Sequence, residues 1–329
     1  MASPADVVRH LGAVQSQDLG MSLWSVGRRC GASLPAVERA FATGDFVRTH
    51  VLRTTWHHVL STDLTDLLEV TGPRIDRLLS TGNRAIGLTD DRMRAGADVV
   101  AAAVASDGPL TRSEVAQRLE SAGFEHTGSA LGHIVMSAEI SGRTVSGPMR
   151  GKQHTYIAAD LPPSRRTPDE RLAWIAQTYA RGHGPFQARD LAWWTSLTLT
   201  DARRAIDLAD LRPVDIDGAV HVADHDPEPV DVPPALLLSN YDELISYVRD
   251  PSDHSHLEDK YGTIMRAGGL LFVRGRLAGS WTRAMRSSSV TVTVRPGVPL
   301  DSLVHRAIEQ EAAAFGLFCA REPALEIVT

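Results

Sequence analysis

Apolar residues recur at helical spacing through most of the chain and switch to a two-residue alternation in a few short stretches. Val7, Val8 and Leu11 form one stripe, and Leu23, Trp24 and Val26 form another after the Gly20 break. Residues 5–30 therefore read as two helices separated by Gln15-Ser16-Gln17-Asp18. Val37, Ala40 and Phe41, with Pro35 ahead of them, predict a third helix over Ala36 to Ala42. Strands are expected next, from Val47 to Leu52 and from Thr55 to Leu60. Helices running into a β-hairpin make the pattern of a winged helix, a variant of the helix-turn-helix.

The pattern returns twice. Helical segments near 61–80 and 90–105 lead to Thr111-Arg112-Ser113-Glu114, a capping box in which the threonine caps the helix and the glutamate reaches back. Val115 and Leu119 line that helix, and Leu131, Ile134, Val135 and Ala138 line the next. A hairpin is expected from Thr144 through the Arg150-Gly151-Lys152 turn to Ala158. After Pro162-Pro163, a second capping box, Thr167-Pro168-Asp169-Glu170, opens a helix with Leu172, Ile175 and Tyr179 on one face. Helices over Ala188 to Thr195 and Thr200 to Leu208 follow, then a hairpin over 212–223 across Asp217-Gly218. A Pro- and acid-rich linker, 224–234, ends this series.

Beyond the linker the pattern changes. Leu270 to Val273 and Leu277 to Thr282 read as a hairpin around Arg274-Gly275-Arg276. Ser289 to Val294 alternates as a half-buried strand, Asp301 to Phe315 as an amphipathic helix, and Leu325 to Val328 as a closing strand. The expected fold is α+β, mainly α. It has three tandem winged helices, over 1–85, 86–160 and 161–234, and a C-terminal α+β partial barrel over 235–329.

Composition narrows the function classes. Hydrophobic residues make up 43% and charged residues 22% of the 329, a globular balance. No apolar run approaches the roughly 18 residues that span a bilayer, so no membrane partner is expected. Two cysteines, Cys30 and Cys319, are too few for a disulfide framework or a cysteine-rich zinc site, and a reducing cytoplasm is the expected compartment. The net charge of −6 counts against a simple nucleic-acid binder, but the charge is segregated. Residues 214–259 hold 12 acids and one base, whereas 270–295 hold five arginines and no acid. Basic faces can thus exist on an acidic chain. Arg143, Arg150 and Lys152 on the second hairpin, and Arg274 and Arg276 on the late hairpin, are candidate phosphate contacts.

Several clusters read as structural. His57 and His58 are adjacent on a strand and point to opposite faces, which argues against a zinc site. His254 and His256, with Asp253, Glu258 and Asp259, sit in an acidic loop and read as solvated. Trp193-Trp194 reads as core, and Tyr241-Asp242-Glu243 as structural. No Gly-rich phosphate loop, nucleophile elbow or cysteine nucleophile context occurs, so neither a nucleotide nor a redox cofactor is expected, nor a metal.

Gln15 and Gln17 remain. Polar residues between helices are usually just solvated, and Gln-x-Gln by itself is a weak signal. A glutamine carbonyl can also orient a water and stabilise positive charge on a sugar, while its amide binds a phosphate. Spacing leaves both readings open.

Leu11-Gly12-Ala13-Val14-Gln15-Ser16-Gln17-Asp18 followed by Leu23-Trp24-Ser25-Val26-Gly27 resembles the N-terminal signature of the AlkZ-like DNA glycosylases, part of the wider winged helix DNA-binding domain-containing family. Arg48-Thr49-His50-Val51-Leu52-Arg53-Thr54-Thr55-Trp56-His57, Asp190-Leu191-Ala192-Trp193-Trp194, and Leu237 to Asp250 with Gly279-Ser280-Trp281 resemble the same family, in order along the chain. The resemblance implies tandem winged helices in a C shape around double-stranded DNA, acting as a monomer. It implies excision of bulky N7-alkylguanine adducts, interstrand crosslinks included, in base excision repair or in self-resistance to a genotoxic natural product. It makes Gln15 and Gln17 catalytic. Ser16 stands where the family usually carries an aliphatic residue or alanine. An N7-alkylated guanine is cationic and leaves as a neutral base, so the absence of a strong general acid beside the glutamines suits this chemistry. No lysine lies near the motif to form a Schiff base, which points to a monofunctional enzyme. His50, Arg53 and His57 on the first hairpin are further candidates for phosphate contact. The alternative is a non-catalytic winged-helix regulator or damage sensor.

Overall fold

A computed structural model of the chain describes residues 1–124, 129–226, 228, 230–247, 257, 261–266 and 268–328. His254, His256, Asp253, Glu258 and Asp259 lie outside the described residues. The fold is mixed α+β, and it divides into two compact units. One joins Met1–Phe41 to His225–Thr329, and the other spans Ala42–Asp224. No helix among the described residues is long and apolar enough to cross a membrane.

The first unit begins with α1 (Pro4–Leu11), capped by the Ser3 side chain, which accepts from the Asp6 amide. The two-residue strand β1 (Val14–Gln15), α2 (Leu19–Cys30) and α3 (Leu34–Ala42) follow.

In the second unit, β2 (Phe46–His50) and β3 (Trp56–Leu60) form an antiparallel hairpin with Thr49 opposite His57 and His50 opposite Trp56. Then come α4 (Leu64–Ala85), α5 (Asp90–Asp107), β4 (Leu110–Thr111), α6 (Arg112–Ser121), α7 (Ala130–Ile140), β5 (Thr144–Arg150) and β6 (Gln153–Ala158). The expected capping box is formed: the Thr111 side chain accepts from the Glu114 amide, and Glu114 reaches back to the Thr111 amide. The short strand β4, which sequence patterning misses, pairs with β6, so the hairpin becomes a three-stranded sheet in the order β4-β6-β5. Met93, Val100, Val115, Leu119, Ile134, Val135 and Tyr156 share one core beneath it. A second helix group, α8 (Pro168–His183), α9 (Ala188–Thr195) and α10 (Leu199–Leu208), precedes the hairpin of β7 (Arg212–Ile216) and β8 (Ala219–Ala223).

The chain then returns to the first unit with β9 (Ala235–Ser239), α11 (Glu243–Ser246), α12 (Tyr261–Met265), β10 (Gly269–Val273), β11 (Arg276–Met285), β12 (Ser289–Pro296), α13 (Ser302–Cys319) and β13 (Glu322–Ile327). These strands make one open sheet in the order β13-β12-β11-β10-β9. The expected partial barrel is thus an open sheet, and the expected closing strand is an edge. The reason is topological: β12 and β13 run parallel, which requires a crossover, and α13 supplies it. That helix lies along the sheet and buries Val304, Ile308, Ala312, Phe315 and Phe318, so its face covers the sheet where closure would otherwise be needed.

Helix α2 is bolted to this sheet. The Trp24 indole N–H donates to the Leu237 carbonyl at 2.8 Å, and its ring meets Phe315 and Phe318, each at 5.2 Å between centroids. Trp281 from β11 donates to the next carbonyl, Leu238, also at 2.8 Å. Arg28 forks onto Glu311 of α13 at 2.6 and 3.1 Å. Gly27 is required by this packing, because a Cβ there would lie 2.5 Å from the Phe318 ring. The apolar stripe that predicts α2 from sequence is therefore its contact with a strand and a helix more than 200 residues away.

Candidate active site

The Gln-x-Gln connection is held between one helix stop and one helix start. Gly12 ends α1 at φ 75°, a conformation that favours glycine. Asp18 starts α2, its carboxylate accepting from the Met21 amide at 3.1 Å. Between them Ala13 and Val14 are core, and Gln15, 8% exposed, lies just beneath the surface. Gln17 is exposed. The two glutamines thus occupy different environments on the same short connection.

Ser16 is fully buried, and a buried hydroxyl requires a partner. It finds one in Ser22 of α2, with the two Oγ atoms 2.9 Å apart, and Ser22 donates on to the Leu19 carbonyl at 2.8 Å. The departure from an aliphatic residue at this position is matched by a serine one helical turn into α2.

Two acids hold the connection from behind. The Gln15 amide donates to Glu243 Oε1 at 2.8 Å. The preceding residue, Asp242, has no exposed side-chain surface and faces α2. It accepts from Arg29 at 2.7 and 2.9 Å, from the Ser25 hydroxyl at 2.7 Å and from the Leu244 amide at 3.0 Å. Burial pushes the Asp242 carboxyl toward its neutral form. The Arg29 charge and these donors outweigh burial and hold its pKa below the ordinary value. Burial likewise opposes the Arg29 charge, and Asp242 together with Glu243 raises its pKa in spite of it. Arg283 of β11 approaches Asp18 Oδ1 at 3.5 Å and so adds a cation beside Gln17-Asp18.

The other candidates fall into two groups. His50 and His57 depart from the expected phosphate contact because both are buried, 4% and 0% exposed. His50 Nδ1 bonds Glu139 in a short contact, and His57 bonds the Thr55 carbonyl at 3.0 Å and lies 3.4 Å from Arg53 Nη2. Arg53 itself is half-buried, its guanidinium 5.7 Å from the centroid of Trp193. The remaining cations reach the surface. Arg143 pairs with Asp98 at 2.9 Å, Arg150 with Glu114 at 2.8 Å, and Arg274 with Asp301 at 2.6 Å, while Lys152 and Arg276 are exposed. Arg150 and Lys152 flank the turn of one hairpin, and Arg274 and Arg276 flank that of another.

Sequence reasoning misses Glu243, Arg283 and the exposure of Trp193. Trp194 is core, as expected, but Trp193 is 41% exposed. The adjacent acids at 242–243 were visible in sequence. Nothing local could connect them to Gln15, which lies 228 residues earlier. Among the described residues, no group of three or more His, Cys, Asp or Glu is arranged to hold a metal ion.

The fold has a known counterpart. The structure superposes on that of the DNA glycosylase AlkZ from Streptomyces sahachiroi with a TM-score of 0.78, at 24% identity, covering 100% of this chain and 94% of that one. The family model described as DNA glycosylase AlkZ-like matches residues 8–318, and the chain belongs to that family. No curated protein sequence matches it.

Proposed function

We propose that the chain is a monofunctional DNA glycosylase that hydrolyses the N-glycosidic bond of bulky N7-alkylguanine adducts, crosslinks included, with Gln15 and Gln17 as its catalytic residues. The observation that carries this reading is the placement of the two glutamines. They lie on one short connection in a chain of this family, one exposed and the other just below the surface. Alkylation at N7 leaves guanine cationic, so the C1′–N9 bond breaks with the electron pair going to the base, which departs neutral. The sugar then carries the positive charge. One glutamine carbonyl opposes that charge, and the other accepts from the water whose oxygen attacks C1′. Neither lysine, Lys152 or Lys260, is near the motif in sequence, which favours water over an amine as nucleophile.

In this reading the helix groups with their hairpins are winged helices, and the divisions near 85, 160 and 234 are module boundaries. The three-stranded β4-β6-β5 sheet beside α5, α6 and α7 supports the winged-helix reading for 86–160. Arg143, Arg150, Lys152, Arg274 and Arg276, joined by Arg283, are assigned to DNA phosphates.

Duplex DNA carrying bulky N7-guanine adducts tests the proposal. Wild-type protein should leave alkali-labile abasic sites. Gln15→Ala and Gln17→Ala should each lower the single-turnover rate by about 100-fold or more while still binding the duplex. Wild-type protein that binds DNA but releases no base from any of several adducts would turn the assignment to a damage sensor or regulator.

A further inference from the structure

We propose that Glu243 is a positioning residue for the candidate reaction, fixing the backbone of Gln15 through its carboxylate. The proposal rests on the reading of Gln15 as catalytic.

Glu243 is 3% exposed, and its Oε1 accepts the Gln15 amide at 2.8 Å. The same oxygen accepts from the Ser246 hydroxyl at 3.3 Å, one turn further along α11. A buried amide deprived of its acceptor costs free energy, and a connection only a few residues long relieves that cost by rotating. Rotation of the peptide before Gln15 swings the side chain that follows it. A displacement of about 1 Å at a reacting group is enough to cost about 100-fold in rate.

The neighbouring residue makes Glu243 a fixed point. Asp242 is clamped by Ser25 and Arg29 of α2, and its amide donates to the Ser239 carbonyl at the end of β9 at 3.2 Å. Two consecutive residues therefore grip two successive parts of the N-terminal segment. Glu243 holds the strand that carries Gln15, and Asp242 holds the helix that Asp18 starts. The C-terminal sheet sets the height of the glutamine connection through this pair. Sequence reads Tyr241-Asp242-Glu243 as structural and assigns Glu243 no partner. The fold supplies that partner, the backbone amide of Gln15.

The test uses the full chain, with single-turnover excision on alkylated duplex at saturating enzyme and duplex affinity measured separately. Glu243→Ala is expected to slow excision by about 10- to 100-fold with affinity changed less than about twofold. Glu243→Gln, whose amide oxygen still accepts from the Gln15 amide, is expected to stay within about threefold of wild type. The double variant Q15A/E243A should be no slower than Q15A, because Glu243 acts through Gln15. Amide hydrogen exchange over residues 13–17 should accelerate in E243A and not in E243Q. A wild-type rate in E243A, an E243Q as slow as E243A, or additive losses in the double variant would each overturn the proposal. E243Q carries the decision if E243A does not fold. Should wild-type protein excise nothing, the glycosylase reading falls alone, and the exchange experiment still decides whether Glu243 holds Gln15.

Discussion

Each unit buries a cluster of charged groups, and the two are built differently. In the unit formed by 1–41 and 225–329, Asp242 meets Arg29, Ser25 and the Leu244 amide, and every contact has hydrogen-bond geometry. In the unit spanning 42–224, Arg48, His50, His58 and Glu139 lie between the first and second hairpins. There Glu139 Oε2 bonds His50, but Glu139 Oε1, Thr49 Oγ1, Thr144 Oγ1 and Trp56 Nε1 have no hydrogen-bond partner among the described residues. Arg48 lies over the Trp56 ring at 4.4 Å, and burial lowers its pKa to about 10 against the opposing pull of Glu139. The first cluster is satisfied and therefore rigid, which suits a scaffold behind the glutamine connection. The second holds its charges at a cost and responds more readily to protonation.

The largest expected effect lies in the satisfied cluster. Asp242→Ala leaves the Arg29 guanidinium facing a buried space without its counter-charge, and such breakage costs about 3 kcal/mol or more. Urea unfolding measures it. Asp242→Asn, which keeps one acceptor oxygen for either the Ser25 hydroxyl or the Leu244 amide, should lose less. A loss below about 1 kcal/mol for the alanine variant would mean that Arg29 escapes to solvent, and the contrast between the clusters would fail.

The next effect is a pH dependence that belongs to the second cluster alone. Burial, then the charges of Arg48 and His57, push the His58 pKa well below its ordinary 6.5. The folded ring stays neutral while the unfolded one takes up a proton as pH falls through about 6.5. Stability is then lost with acid, at up to about 1.4 kcal/mol per pH unit, until the folded pKa is reached. The Asp242 carboxyl is shifted in the same direction but from a lower starting point: its stabilisation is fully present above about 3.8 and is lost only as pH falls below that and through its folded value. Between pH 6.5 and 5, hydrogen exchange corrected for intrinsic rates should therefore rise in β2 and β3 and not in α2 or β9. His58→Phe should flatten the dependence in the hairpin. Equal acid sensitivity in both regions would show that His58 is not its source.

The elements whose signals are local were legible. The stripes of α1, α2 and α13, the capping boxes at Thr111 and Thr167, and the alternation of β12 all appear where patterning puts them. The misses share a cause. β4 is two residues long, and β9 is the apolar run Ala235-Leu236-Leu237-Leu238 closed by Ser239, whose strand character depends on β10 beside it. Grouping of 1–41 with the C-terminal sheet depends on Trp24, Arg28 and Arg29, whose partners are 213 or more residues away. The candidate site follows the same division. The glutamines stood out because of a family signature, whereas Glu243 and Arg283 are ordinary residues until the fold brings them to that signature. His50 and His57 misled for a related reason. Polar residues on a strand suggest an open face, but β2, which carries His50, packs against the second hairpin and α7, and His57 on β3 is buried as well.

The smallest effect is the sharpest probe of the contrast, because it turns on sign rather than size. Ser25 donates to a buried carboxylate, so Ser25→Ala removes a charge-assisted bond and should destabilise by about 1 kcal/mol or slightly more. Thr49 and Thr144 are equally buried, but their hydroxyls lack a partner among the described residues. Thr49→Val and Thr144→Val keep the branched shape that a strand favours and remove a hydroxyl that was poorly satisfied. Each should be neutral or stabilising by up to about 1 kcal/mol. Unfolding curves for the three variants thus fall on opposite sides of wild type if the clusters differ as described. Losses for the valine variants equal to that for Ser25→Ala would mean that the threonine hydroxyls have partners after all, most simply bound water, and that both clusters are satisfied to the same degree.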